Sequence, residues 1–295
     1  MRDAFIRELT TLATEHENIV LVVGDLGYGV VERFAEAFPD RFFNAGVAEQ
    51  NMMSMCAGLA SEGAHVFAYS IANFSTFRCA EQIRNDVDYH RLPVTVVAVG
   101  GGLAYGNLGY SHHAVQDFAL MRSLPNMLIA APGDPHETVS CTRYLVAHPQ
   151  PSYLRLGRGK DELVHSSPPQ IEPGIWVPVS KGTSNVLVLT TGGALRYARM
   201  ALERSGDSTT SLISLPLWSA NLKALQPSQI EQWAVVETAE DHLLDGGFGS
   251  WLMEATVTSA PELLSRIRPR GIPSALCGVV GSQDELMNLA GLAHP

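Results

Sequence analysis

The apolar positions of this chain fall into short, nearly unbroken runs. Between the runs lie longer stretches in which apolar residues recur every three or four positions. In the first half the runs are NIVLVVGD (18–25), AHVFAYSI (64–71), PVTVVAVG (93–100) and NMLIAAPGD (126–134). Continuous rather than alternating apolar character predicts strands buried on both faces. The intervening stretches 30–38, 48–61, 75–88, 114–124 and 135–147 predict helices. An amphipathic helix precedes the first strand, with Phe5, Ile6, Leu9 and Leu12 on one side. Alternating strands and helices imply an α/β fold, a mostly parallel sheet with helices on both faces. Ligands of such sheets bind beyond the carboxyl ends of the strands. Asp25, Ser70 and the 100–113 loop fall at such ends.

The pattern breaks at GRGKDELVHSSPPQIEPGIWVP (157–178), which is rich in Pro, Gly and charge and lacks periodicity, and then restarts. Strands are expected at 184–192, 209–215 and 233–238, and helices at 194–205 and 247–259. GSQDELMNLAGL, with Ser282 followed by Glu285, has the form of a helix start. The division expected is a first domain over 1–160, a linker over 161–180 and a smaller α/β domain over 181–295. The formal charge of −10, with acids scattered throughout, argues against nucleic acid or an anionic membrane as partner. No run of about 18 apolar residues is present to span a bilayer. The N-terminus lacks the apolar core of a signal peptide. Cys56, Cys79, Cys141 and Cys277 are far apart, with no C-x-x-C, so a reduced, cytoplasmic setting is expected.

Two stretches offer chemistry. FFNAGVAEQN (42–51) sets Glu49 at the mouth of the apolar helix MMSMCAGLA. The simpler reading is a carboxylate meeting the positive end of a helix dipole; the sharper one is a carboxylate serving a ligand in an apolar cleft. VGGGLAYGNLGYSHHAVQD (99–117) follows a strand and combines a glycine-rich loop with His112 and His113. It matches neither G-x-G-x-x-G nor G-K-[ST], so it reads less well as a phosphate loop than as one holding histidines against a cleft. A surface loop with two solvated histidines is the alternative. Adjacent histidines without H-x-x-x-H spacing give no metal site. Phe74 and Phe77, near another strand end, read as core or as a stacking wall for a flat heterocycle. There is no G-x-S-x-G elbow for hydrolysis.

Taken in order, Asp25, GVAEQ, SIANFSTF, GNLGYSHH and LPNMLIAAPGDPHE resemble the C-terminal half of transketolase, its pyrimidine-binding domain and third domain. VVETAEDHLLDGGFGSWL resembles the third-domain segment, so the likeness covers nearly the whole chain. It implies a cofactor, thiamine diphosphate. Glu49 then stands where the family places a Glu against N1′ of the aminopyrimidine. A carboxylate shielded from water can share a proton with that ring nitrogen and so help the cofactor generate its own carbanion. Phe74 aligns with the ring that stacks on the aminopyrimidine, and Phe77 with a second aromatic contact; Ile71 replaces a further Phe. Asp25 matches an Asp reaching toward the cofactor. His112 matches a substrate-contacting His, and His113 replaces the Gln that follows it. Arg158 in YLRLGRG keeps an Arg that holds the sugar phosphate. Gly29 and Gly100 stand where a Ser and a His would help it, and Leu108 replaces an acidic residue that reads a sugar hydroxyl. The acceptor is therefore expected to differ from an ordinary aldose phosphate.

The G-D-G…N motif that binds the diphosphate through Mg²⁺ is missing. The resemblance therefore implies a split transketolase. An N-terminal transketolase subunit would carry the diphosphate-binding domain and hold Mg²⁺ or Ca²⁺. The pair would form an α2β2 assembly acting on a sugar or aldehyde. The transferase would move a two-carbon ketol unit from a ketose donor to an aldehyde acceptor. Two other readings stand beside it: the beta subunit of a 2-oxo-acid dehydrogenase or related acyl-transferring enzyme, and a non-catalytic regulatory subunit.

Overall fold

The computed structural model describes residues 1–159 and 162–293. Two sheets organise them. The first contains β1 (Ile19–Val23), β2 (Phe42–Asn44), β3 (His65–Ile71), β4 (Val94–Val99), β5 (Leu128–Ala130), β6 (Ser152–Leu156) and β10 (Leu217–Trp218), in the order β10-β5-β6-β4-β3-β1-β2. Its first six strands in sequence pair in parallel; only β10 runs antiparallel, against β5. The second contains β7 (Val177–Ser180), β8 (Val186–Thr190), β9 (Ser211–Ser214), β11 (Val235–Leu243) and β12 (Ile267–Ile272), in the order β12-β11-β8-β9-β7. Its strands are parallel except for β7 at the edge.

The unbroken apolar runs do become strands buried on both faces. Along β1, Val20 and Val22 join one hydrophobic cluster with Met52, Met53 and Cys56 of the helix Glu49–Ser61. Ile19, Leu21 and Val23 point the other way, onto Phe5, Ile6 and Leu9 of the helix Arg2–Leu12. The first cluster continues into the second half of the chain through Phe118, Trp218, Phe248 and Trp251, whose rings meet at centroid distances of 5.2–5.7 Å. The core is thus shared between the two sheets, and β10, from the second half, closes the edge of the first sheet.

Two segments differ from the expected pattern. The linker expected over 161–180 ends in β7, which pairs with β9; residues 160 and 161 lie outside the described residues. Residues near its start are tied down as well. Asp134, the N-cap of the helix Pro135–Ala147, accepts the backbone N–H of Val164 and His165 and the side chain of His165. The helix expected over 75–88 is a series of short turns: Ala72–Ser75, a 3-10 turn at Phe77–Cys79, Ala80–Gln82 and a π-helical Ile83–Asp88. The hydroxyls of Ser75 and Thr76 bond back to the carbonyls of Ile71 and Ala72, the competition by which such residues bend helices. No helix among the described residues is long and apolar enough to cross a membrane.

Candidate active site

Each residue singled out in the sequence follows the carboxyl end of a strand, and the five strands are neighbours in the first sheet. Asp25 follows β1, Glu49 follows β2, Phe74 and Phe77 follow β3, His112 and His113 follow β4, and Arg158 follows β6. Parallel pairing brings these ends to one rim.

Glu49 opens its helix, and its N-cap, Ala48, offers no side-chain cap. The Glu49 side chain is only 2% exposed and packs beside Gly24. Oε2 accepts from Nη1 of Arg78 at 2.7 Å. Arg78 is 46% exposed, and its guanidinium lies over the Phe74 ring, 4.6 Å from the centroid. One planar cation therefore touches both the buried carboxylate and the aromatic face. Asn73, Phe74, Phe77, Arg78, Tyr110 and Gln116 line an open cleft of about 510 Å³ beside this pair. Phe77 is 48% exposed there.

His112 sits across the cleft edge from Phe74. The rings meet edge to face at 5.2 Å, and Tyr105 packs on the other side at 5.9 Å. Ser111 Oγ lies 2.9 Å from His112 Nδ1. Desolvation, then the neighbouring His113, lowers the His112 pKa below the usual imidazole value. Asn73 holds this corner by donating to the carbonyls of Ser111 and His113, at 3.1 and 2.9 Å, on either side of His112. His113 turns inward. It is fully buried, with Nε2 3.2 Å from the Gly106 carbonyl; neither histidine lines the cleft itself, and His112 meets it only through Phe74. Arg158 is exposed and lies over the Tyr105 ring at 4.6 Å. Tyr105 so links Arg158 to His112. It also accounts for Gly100, because a Cβ at that position would collide with the Tyr105 ring.

Asp25 closes the far side of the rim in a left-handed conformation, φ 56°. Asn44 at the end of β2 and Tyr28 both donate to its carboxylate, at 2.9 and 3.0 Å, and these bonds lower its pKa, Asn44 contributing most. Asn44 Oδ1 in turn accepts the backbone N–H of Asp25 and Gly46, joining the ends of β1 and β2 just ahead of Glu49.

Asn44, Asn73, Arg78 and Tyr105 were not legible as site residues. The available signal was spacing, since Arg78 stands four residues after Phe74, just inside the stretch 75–88 read as regular helix. A smaller cavity of about 30 Å³, bounded by Arg155, Asp241 and Arg196, lies where the two sheets meet and has room for about one or two waters. Among the described residues, no group of three His, Cys, Asp or Glu is placed to hold a metal ion.

The arrangement sets a buried acid beside an aromatic wall at the rim of a parallel sheet. Residues 1–161 match the family model for the transketolase pyrimidine binding domain, and the chain belongs to the transketolase family. It is 34% identical to a putative transketolase C-terminal section of Methanocaldococcus jannaschii over 99% of this chain and 92% of that protein. It is 31% identical to an apulose-4-phosphate transketolase subunit of Phocaeicola vulgatus, over 92% and 87%. The solved structure of a split-gene transketolase, described as an inactive beta4 tetramer, superposes with a TM-score of 0.81 at 32% identity, over 99% and 93% of the two chains.

Proposed function

We propose that the chain is the C-terminal subunit of a split transketolase. It would bind thiamine diphosphate jointly with a separate N-terminal subunit and transfer a two-carbon ketol unit from a ketose to an aldehyde. The supporting observation is the Glu49–Arg78–Phe74 cluster. A planar cation that bonds the carboxylate and lies over the ring occupies the place a protonated aminopyrimidine would take. The half-exposed Arg78 side chain can swing into solvent to admit it.

When bound, the cofactor supplies a carbanion that accepts and passes on the two-carbon unit. The rest falls to protein side chains. Glu49, screened from water, would hold a proton at a nitrogen of the cofactor's ring. Phe74 fixes the ring plane, and Phe77 extends the apolar wall at the mouth. Asp25 reaches the cofactor from the β1 end. His112, kept neutral by its lowered pKa, is suited to accept or return a proton at a substrate oxygen. Arg158 beside Tyr105 offers a cation to an anionic substrate group. His113 serves from behind, through the carbonyl of Gly106, rather than by contact with substrate.

The diphosphate and its Mg²⁺ or Ca²⁺ fall to the partner, because this chain lacks G-D-G. That a split-gene relative is inactive as a beta4 tetramer supports the need for a second kind of subunit. The assembly would be α2β2, with cytoplasmic carbohydrate metabolism as its setting. The test is reconstitution with an N-terminal transketolase subunit. A ketose and an aldehyde should yield the exchanged pair of sugars. Decarboxylation of a 2-oxo acid without ketol transfer would sink the reading in favour of the dehydrogenase-type alternative.

A further inference from the structure

The proposed reaction makes no use of one of the most heavily bonded side chains among the described residues. Arg155, on β6, is buried between the two sheets. Its Nε donates to Asp117 Oδ2 at 2.7 Å and its Nη1 to Asp241 Oδ1 at 2.5 Å. Nη2 reaches the carbonyls of Ala114 at 2.9 Å and Asp241 at 3.2 Å. Asp241 belongs to β11 of the second sheet, whereas Ala114 and Asp117 belong to the segment that follows His112.

The 100–117 loop closes on itself at the same point. Gly102 and Ala114 exchange both backbone hydrogen bonds, at 2.8 and 2.9 Å, so Arg155 grips the carbonyl that already ends the loop's stem. The second half of the chain bonds to the loop directly as well. Leu243 N–H donates to the Val115 carbonyl at 2.9 Å, and Gly281 N–H to the Gly106 carbonyl at 3.3 Å. Val115 and Leu103 pack into the cluster of Val188, Leu195, Leu286 and Met287. Two consecutive glycines make room for the clamp. A Cβ on Gly101 would lie 2.5 Å from Arg155 Nε, and one on Gly102 would overlap the Asp241 carboxylate.

We infer that Asp241, acting through Arg155, is a positioning residue that fixes the stem of the His112 loop. The C-terminal domain thereby sets the geometry of the substrate-facing corner without touching substrate. Asn73, in the short helix Ala72–Ser75, holds the loop on either side of His112, and Asp241 and Arg155 hold its base. The inference deepens the functional reading above in assigning the loop to substrate. The clamp itself stands on the geometry of this chain alone.

Asp241→Asn is the informative change. It leaves Arg155 paired with Asp117, so no buried cation is stranded and the fold has its best chance of surviving. In the full chain, hydrogen exchange at the Gly102, Ala114 and Leu243 amides should accelerate by at least about tenfold, the equivalent of weakening one charged hydrogen bond. The β1 and β3 amides should hold their rates. Titration of His112 followed by NMR should move up toward the ordinary imidazole value, because the packing that desolvates the ring is loosened. In the reconstituted enzyme, kcat/KM for substrate should fall while cofactor affinity stays the same.

Unchanged exchange at the stem, or an equal rise throughout the chain with His112 unmoved, would overturn the inference and show ordinary domain adhesion. Loss of turnover with the predicted exchange and titration changes absent would count against it too. Changes in exchange and titration without any ketol transfer even in the unaltered enzyme would leave the clamp standing and refute the functional reading instead. If Asp241→Asn does not fold, native-state exchange of the unaltered chain in rising urea decides. The Gly102, Ala114 and Leu243 amides should open as one unit, and separate opening of the stem would overturn the inference.

Discussion

In the proposed function Glu49 and Phe74 would carry the chemistry, and their removal should act differently. Glu49→Gln keeps the shape but forfeits the acid, and proton sharing of this kind is worth about 10²–10⁴ in rate. Steady-state turnover of the reconstituted enzyme should fall by about 100-fold or more, with the far-UV spectrum of the chain unaltered. Phe74→Ala removes the wall and should cost about 1 kcal/mol of cofactor affinity, read by calorimetric titration.

Elsewhere, single carboxyls set the pH dependence. Burial raises Glu240 to about 8, although the N–H groups of Gly249 and Phe248 pull the other way. Burial likewise raises Glu137 to about 7. A carboxyl raised above its unfolded value of 4.5 favours the fold while protonated, and that advantage drains away as pH climbs through the folded value. The lowered histidines His65, His112 and His242 contribute fully above 6.5 and so do not mask the trend there. The urea midpoint should therefore decline between pH 6.5 and 8, and Glu240→Gln should flatten part of the decline. A midpoint that rises over that window would contradict the assignment.

Among the elements, legibility followed burial. β1, β3 and β4 are apolar on both faces, and their runs were visible without help. β6 was not, because Arg155 interrupts SYLRL with a charge that only Asp117 and Asp241, distant in sequence, render tolerable. β2 and β10, three and two residues long, exist through pairing alone and leave no local pattern. The 75–88 segment carries helical periodicity but is broken by Ser75 and Thr76, whose hydroxyls bond to the backbone. That break lets Phe74, Phe77 and Arg78 share one cleft. Glu49, Phe74 and His112 stand out in the local sequence and take their expected roles from the resemblance, while Asn44, Asn73 and Arg78 depend on contacts that sequence order does not display. The helix Pro135–Ala147 gives this scale its prediction. Asp134 caps it and also anchors Val164 and His165. Asp134→Ala should destabilise the chain by about 3 kcal/mol, more than a surface cap, because buried N–H groups lose their acceptor. Chemical denaturation measures it. Protease cleavage near residue 165 should quicken in parallel.

At the scale of the whole molecule, the chain is well packed, and in the proposed function it would be incomplete as a catalyst by itself. Its cleft is open, Tyr28, Val47, Phe77 and Tyr110 stand exposed along the strand-end rim, and the diphosphate motif is missing. A cofactor site shared with a second subunit accounts for all three, since an incoming surface would cover the rim and supply the missing ligands. The most direct test is calorimetric titration of thiamine diphosphate with Mg²⁺ into this chain alone, into its mixture with an N-terminal transketolase subunit, and into the same mixture carrying Glu49→Gln. The account predicts negligible binding by the chain alone, tight binding by the mixture and weakened binding with the variant. Tight binding by the isolated chain, or binding by the mixture that ignores the loss of the Glu49 carboxylate, would contradict it.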